Sequence, residues 1–269
     1  MGTTGSIGFF DSGVGGLTIW NEVVSLLPSE STVYIGDSLN APYGTKQSNE
    51  IIDLSIKNTE KLLVLGAKII VVACNTATTQ AIEVLRDSFS VPFIGIEPAV
   101  KPAALLSRSG HIGVLATNGT IESTFFNSTI QEHSGDVMVH TQVGEGLVRA
   151  IEKGELHSKK TKEILAKHLK SLVQYDVDQI VLGCTHYPLL IPLIKDVLGS
   201  EISIVDSGKA VAQQTKRVLL ENDLLNSIEN TPTHQMYSNG SVEILKSIIE
   251  ELSPVSKSSI TYSSLYQLE

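Results

Sequence analysis

The sequence predicts an α/β fold made of two similar units, each a mostly parallel sheet flanked by helices, with the active site in the cleft between them. Three observations lead there. Short β-branched runs alternate with stretches of helical period. The two halves of the 269-residue chain repeat one order of elements. Each half also sets one of the only two cysteines, Cys74 and Cys184, at the end of an apolar run.

Strands are expected near Ile7–Phe10, Val33–Gly36, Ile69–Ala73 and Phe93–Ile96, and again near Ile112–Leu115, Val137–Thr141, Gln179–Leu182 and Ile202–Val205. Between them, Leu17–Leu27, Ile51–Leu65, Ala81–Phe89, Ile121–Ile130, Thr161–Val173 and Leu189–Leu198 carry apolar residues at helical spacing, several opened by Ser, Thr, Asn or Pro. Such alternation argues parallel sheets covered on both faces. IGFFDSGVGG from Ile7 and IGVLATNGT from Ile112 share an Ile-Gly start and a hydroxyl residue followed closely by glycine. Later in each half, IIVVACNTATT (Ile69–Thr79) is answered by QIVLGCTHYP (Gln179–Pro188). After Asn226 the chain turns polar and serine-rich, and only Val242–Leu252 is clearly patterned.

Composition narrows the function classes. With 42% hydrophobic and 18% charged residues the chain can bury a sizeable core, which excludes a disordered or fibrous protein. No apolar stretch reaches the roughly 20 residues that span a bilayer, and the start MGTTGSIGFFDSG carries no basic leader. A soluble cytoplasmic protein is expected. Two cysteines make no disulfide framework and, without paired histidines nearby, no structural zinc site, so free thiols are expected. The formal net charge is −9, and basic residues are scattered apart from Lys159-Lys160-Thr161-Lys162, so neither nucleic acid nor a membrane is an expected partner.

In open parallel sheets ligands bind beyond the carboxyl ends of the strands. Cys74, Cys184, Asp11, Ser12, Thr117 and Thr120 all fall at such ends. Two units facing each other bring one thiol to each side of a bound ligand, an arrangement suited to a reaction with an acid on one face and a base on the other. A free thiol has a pKa of about 8.5 and needs a helix N-terminus or a proton-accepting neighbour to work at neutral pH. His186 and Glu152 are the candidates beside Cys184, and Asp11 and Asp37 those beside Cys74. Backbone N–H groups after Asn75-Thr76 and Thr185, with the hydroxyls of Ser12, Thr76, Thr117, Thr120 and Thr185, offer carboxylate binding without arginine. DSGVGG is no dinucleotide loop, because Thr18 stands where the third glycine of GxGxxG belongs and Asp11 would repel a pyrophosphate. In the blandest terms the cysteines are core residues, Asp37 and Glu152 solvated acids, His186 a turn histidine, and Tyr43-Gly44 a turn after Pro42.

DSGVGG (Asp11–Gly16), APYGTK (Ala41–Lys46), ACNTA (Ala73–Ala77), GVLAT (Gly113–Thr117) with Thr120 after it, and GCTHYP (Gly183–Pro188) stand in an order that resembles the glutamate racemases of bacterial cell-wall synthesis, within the aspartate/glutamate racemase superfamily. The resemblance covers roughly Ile7 to Leu220. HTQVGEGLV (His140–Val148) departs from the more proline-containing form expected there. The resemblance implies interconversion of L- and D-glutamate with neither pyridoxal phosphate nor metal, supplying D-glutamate for peptidoglycan. It implies that Cys74 handles the α-proton of D-glutamate, helped by Asp11 and Asp37, and Cys184 that of L-glutamate, helped by Glu152 and His186. Substrate contacts are implied at Asp11, Ser12, Tyr43, Gly44, Asn75, Thr76, Thr185 and His186, with Thr117 and Thr120 beside them. A homodimer is implied, with residues 1–97 and 207–269 forming one domain and 98–206 the other. Aspartate or hydantoin racemisation on the same scaffold, a non-catalytic amino-acid-binding protein, and a thiol hydrolase using Cys184 and His186 remain alternatives.

Overall fold

The structure is a computed structural model that describes residues 5–199, 201–226, 231–252 and 259–265. Its strands are β1 (Ser6–Asp11), β2 (Thr32–Gly36), β3 (Ala67–Val72), β4 (Phe93–Ile94), β5 (His111–Ala116), β6 (Met138–Val143), β7 (Gln179–Gly183), β8 (Ser203–Val205), β9 (His234–Ser238) and β10 (Ile260–Ser264). The helices are α1 (Leu17–Leu26), α2 (Ser48–Val64), α3 (Asn75–Ser88), α4 (Val100–Leu106), α5 (Asn118–Ile121), α6 (Thr124–His133), α7 (Leu147–Glu152), α8 (Lys159–Val173), α9 (Ile191–Leu198), α10 (Gly208–Glu221) and α11 (Val242–Leu252).

The first sheet runs β10-β9-β2-β1-β3-β4 and the second β6-β5-β7-β8. All their pairings are parallel. The segment β2-β1-β3-β4 has the same order as β6-β5-β7-β8, so the echo read in the sequence is a repeat of topology. Of the eight expected strands, β1 to β5 and β7 form because their β-branched and aromatic residues are buried on both faces, as a helix-covered parallel sheet requires, while β6 and β8, at the edges of the second sheet, are partly exposed. Ile7, Phe9 and Phe10 of β1 and Ile69 to Val72 of β3 have no solvent exposure. Burying side chains of this size is worth about 1.5–3 kcal/mol each.

Helix boundaries differ from the expected ones where polar residues act as caps. Helix α3 starts at Asn75, ahead of the expected Ala81, because Cys74 is its N-cap and its sulfur accepts a hydrogen bond from the Ala77 N–H. The expected helix at Ile121–Ile130 is two helices, capped separately by Thr117 and Ser123. Helices α4 and α10 lie outside the expected set, and α7 ends at Glu152, where the sequence offers a helix end. Two further strands lie in the tail. β9 pairs with β2 and β10 with β9, extending the first sheet. The sequence of β9, HQMYS, hides the pattern because polar groups face inward with partners, and that of β10, ITYSS, because only Ile260 is buried. His234 Nδ1 lies 2.9 Å from the Thr32 hydroxyl, which also accepts from Trp20 Nε1. Lys68 and Glu30, both buried, pair at 2.7 Å, and Lys68 also donates to Asn226, securing the point where the chain returns to the first sheet.

Candidate active site

The carboxyl ends of the central strands meet across the gap between the sheets. β1 ends at Asp11 opposite Gly36 of β2, and Ala116 of β5 lies opposite Gly183 of β7. The residues that follow those ends build the site. Cys74 and Cys184 are buried and line one small cavity, together with Ser12, Asn75, Thr76 and Thr185. Tyr43, Gly44, Thr117 and His186 complete the sequence-predicted part of its wall. The cavity holds about 10 Å³, room for no more than one water.

Each thiol has its own neighbours. Cys74 Sγ lies 3.7 Å from the Ser12 hydroxyl and 3.5 Å from the Ala77 N–H. Burial, reinforced by the charge of Asp11, pushes the Cys74 thiol far up, so this side of the cavity holds a proton. Cys184 Sγ lies 3.8 Å from His186 Nδ1, and His186 Nε2 lies 2.6 Å from Glu152 Oε1. Burial works against protonation of His186. The sulfur of Cys184 and the Glu152 carboxylate outweigh it and hold the imidazole well above its usual value. The imidazolium faces the Cys184 sulfur.

Four predicted residues stand behind the wall. Asp11 accepts from Gly13 N–H and from the Thr185 hydroxyl, a bond that spans the two sheets, and burial raises its carboxyl above the usual range. Glu152, with a side chain only 11% exposed, takes the Val14 N–H as well as His186, so the solvated-acid reading fails. Thr120 bonds the Thr117 and Thr76 hydroxyls. Asp37 accepts from Tyr43, Asn40 and Asn239 and reaches the cavity only through the Tyr43 hydroxyl, 2.6 Å away. Tyr43 thus stands between Asp37 and the cavity that Cys74 lines.

Sequence reasoning missed Pro42 and Val148 in the wall and the role of the glycines in DSGVGG. A Cβ on Gly13 would fall 1.9 Å from Glu152 Oε1, and one on Gly15 would fall 2.2 Å from His186 Nδ1. These glycines let the first unit's loop press against the charged pair of the second. The readable signal was three glycines within six residues directly after a buried acid. The proline-poor VGEG segment also has a packing reason, since a Cβ on Gly144 would fall 2.3 Å from the Tyr187 hydroxyl.

The buried amide of Asn75, in the wall, has neither its nitrogen nor its oxygen hydrogen-bonded. Orphaned polar atoms in such a place cost free energy unless a bound group completes them. Among the described residues no cluster of three or more metal-ligating side chains occurs, and no helix is long and apolar enough to cross a membrane.

A family model described as Asp/Glu/Hydantoin racemase matches residues 21–215. The chain belongs to this family. Among its members, the glutamate racemase of Herpetosiphon aurantiacus is 46% identical over 241 residues, covering 90% of this chain and 92% of its own. That of Ectopseudomonas mendocina is 42% identical, with the same coverage of both chains. The crystal structure of a Bacillus anthracis glutamate racemase superposes with a TM-score of 0.84 at 32% identity over 98% of each chain. The Escherichia coli glutamate racemase solved with L-glutamate and its activator UDP-MurNAc-ala also gives 0.84, at 28% identity over 97% of this chain and 98% of that one. The racemase fold therefore extends beyond residues 21–215 to β9 and β10.

Proposed function

We propose that this protein interconverts L- and D-glutamate by moving the α-proton between Cys74 and Cys184. The observation that carries the reading is the placement of both thiols in the wall of one cavity, one from each sheet. Such a pair fits a planar carbanion between them: a thiolate on one face takes the α-proton, and the thiol on the other face gives its own to the same carbon. The protonated Cys74 is ready to donate, and the His186 imidazolium supplies a counter-charge to a thiolate at Cys184. Starting from L-glutamate, Cys184 takes the proton and Cys74 returns one; the reverse direction exchanges the roles.

The unpartnered Asn75 amide, the hydroxyls of Ser12, Thr76, Thr117 and Thr185, and Gly44 are read as the substrate-binding wall. Asp11, Thr120, Asp37 and Glu152 are read as positioning it from behind. The cavity is too small for glutamate as it stands, so entry requires the walls to part. Residues 1–97 with 207–269, and 98–206, are the two bodies proposed to do so. The chemistry uses protein groups alone. Supply of D-glutamate to peptidoglycan, a cytoplasmic location and a homodimer complete the reading, the last checked by sedimentation. Circular dichroism of L-glutamate incubated with dialysed protein, with L-aspartate beside it, tests the activity. Decay of the glutamate signal to zero is expected, and an unchanged signal would refute the proposal.

A further inference from the structure

A second cavity, of about 590 Å³, abuts the one between the thiols and shares Pro42, Gly44, Thr117 and Val148 with it. The shared residues make it the antechamber through which a substrate reaches the thiols. Its wall also includes Arg149. Among the described residues no lysine or arginine lines the thiol cavity; Arg149 is the one such residue lining the antechamber, where Glu145 is the one acid. The Arg149 side chain is exposed, and its guanidinium has neither an ion pair nor a hydrogen bond among the described residues. Helix α7 thus turns Val148 toward the thiols, Arg149 toward the entrance and Glu152 toward His186.

We propose that Arg149 is the capture residue for the anionic substrate, drawing a dicarboxylic amino acid into the antechamber and releasing it to the arginine-free thiol cavity. The proposal rests on the racemase reading. A glutamate anion approaches a protein whose formal net charge is −9, which repels it at long range. Glu145 lines the same cavity and makes the mouth formally neutral in a protein of net charge −9, and the exposed, unpaired Arg149 is the cation there, with a planar fork matched to a carboxylate. Because the contact lies outside the reacting centre, it serves ground state and transition state alike and acts on KM rather than kcat.

The test is racemisation of L- and D-glutamate by the wild-type protein and by Arg149→Gln, Arg149→Lys and Arg149→Glu, across ionic strength, with thermal unfolding recorded for each. The expected result is a loss in kcat/KM of roughly three- to tenfold for the Gln variant at low salt, carried by KM, with kcat within about twofold. The Lys variant should recover most of the loss and the Glu variant exceed it. The differences should shrink toward 0.5 M salt, where screening acts within about 4 Å. A Gln variant with wild-type kcat/KM at low salt, or a loss confined to kcat, overturns the proposal. A wild-type protein that does not racemise glutamate at all overturns the racemase reading and this proposal with it, a result distinct from either.

Discussion

His186 Nε2 lies 2.6 Å from Glu152 Oε1, and the same carboxylate oxygen takes the Val14 N–H at 2.7 Å. One atom therefore holds the proton on the histidine beside Cys184 and ties the first unit's glycine loop to the second unit.

Replacing Glu152 by Gln keeps an oxygen for Val14 but removes the charge. The negative charge raises the His186 value, so its loss lowers it, and the imidazolium is lost at lower pH. The expected outcome is a fall in kcat from L-glutamate of roughly ten- to hundredfold, the worth of a charge-assisted hydrogen bond of about 1.5–3 kcal/mol. The alkaline limb of the pH–rate profile should move to lower pH. A variant with an unshifted limb would show that the pair only holds the fold.

Gly15→Ala places a methyl group where His186 now sits. The histidine is fully buried and has nowhere to yield without leaving Cys184 or Glu152. Activity is expected to drop by about a hundredfold or more, since small displacements of reacting groups cost that much. Thermal unfolding checks that the drop comes from the site: the variant should still unfold in one cooperative step.

His234 is buried beside Trp20 and Thr32, and burial lowers its value from 6.5 to about 4. Between those values the unfolded chain binds a proton that the folded one does not. Stability from the neutral ring is thus complete above pH 6.5 and is lost as pH falls toward 4. Urea unfolding from about pH 7 to about pH 4 should show this loss, and His234→Gln should flatten the slope. An equal slope in both proteins would assign the acid sensitivity to other groups.

Much of this was legible in the sequence for a physical reason. Runs such as IIVV and QIVLG are buried on both faces, so hydropathy alone marks them, and Cys74 and Cys184 follow them at strand ends where ligands gather. Of the tail strands, β9 escaped because burial there is satisfied by polar partners, His234 with Thr32, which no local pattern reveals, and β10 because only Ile260 is buried. Val148 escaped because α7 is a six-residue helix, too short for its period to show. A strand end alone offers Asp37 as a helper of Cys74, whereas Asn40 and Tyr43 a few residues on and the distant Asn239 together fix where its carboxylate goes.

The division of labour between the two thiols is tested most directly by racemising L-glutamate in deuterated water and following hydrogen at the α-carbon early in the reaction. With Cys184 taking the proton and Cys74 returning another, D-glutamate carries solvent deuterium from the first turnover while unreacted L-glutamate keeps its original hydrogen. Cys74→Ser and Cys184→Ser should each cripple both directions, because the base of one is the acid of the other. D-glutamate that retains the original hydrogen, or either serine variant racemising at near wild-type rate, would contradict a two-thiol exchange.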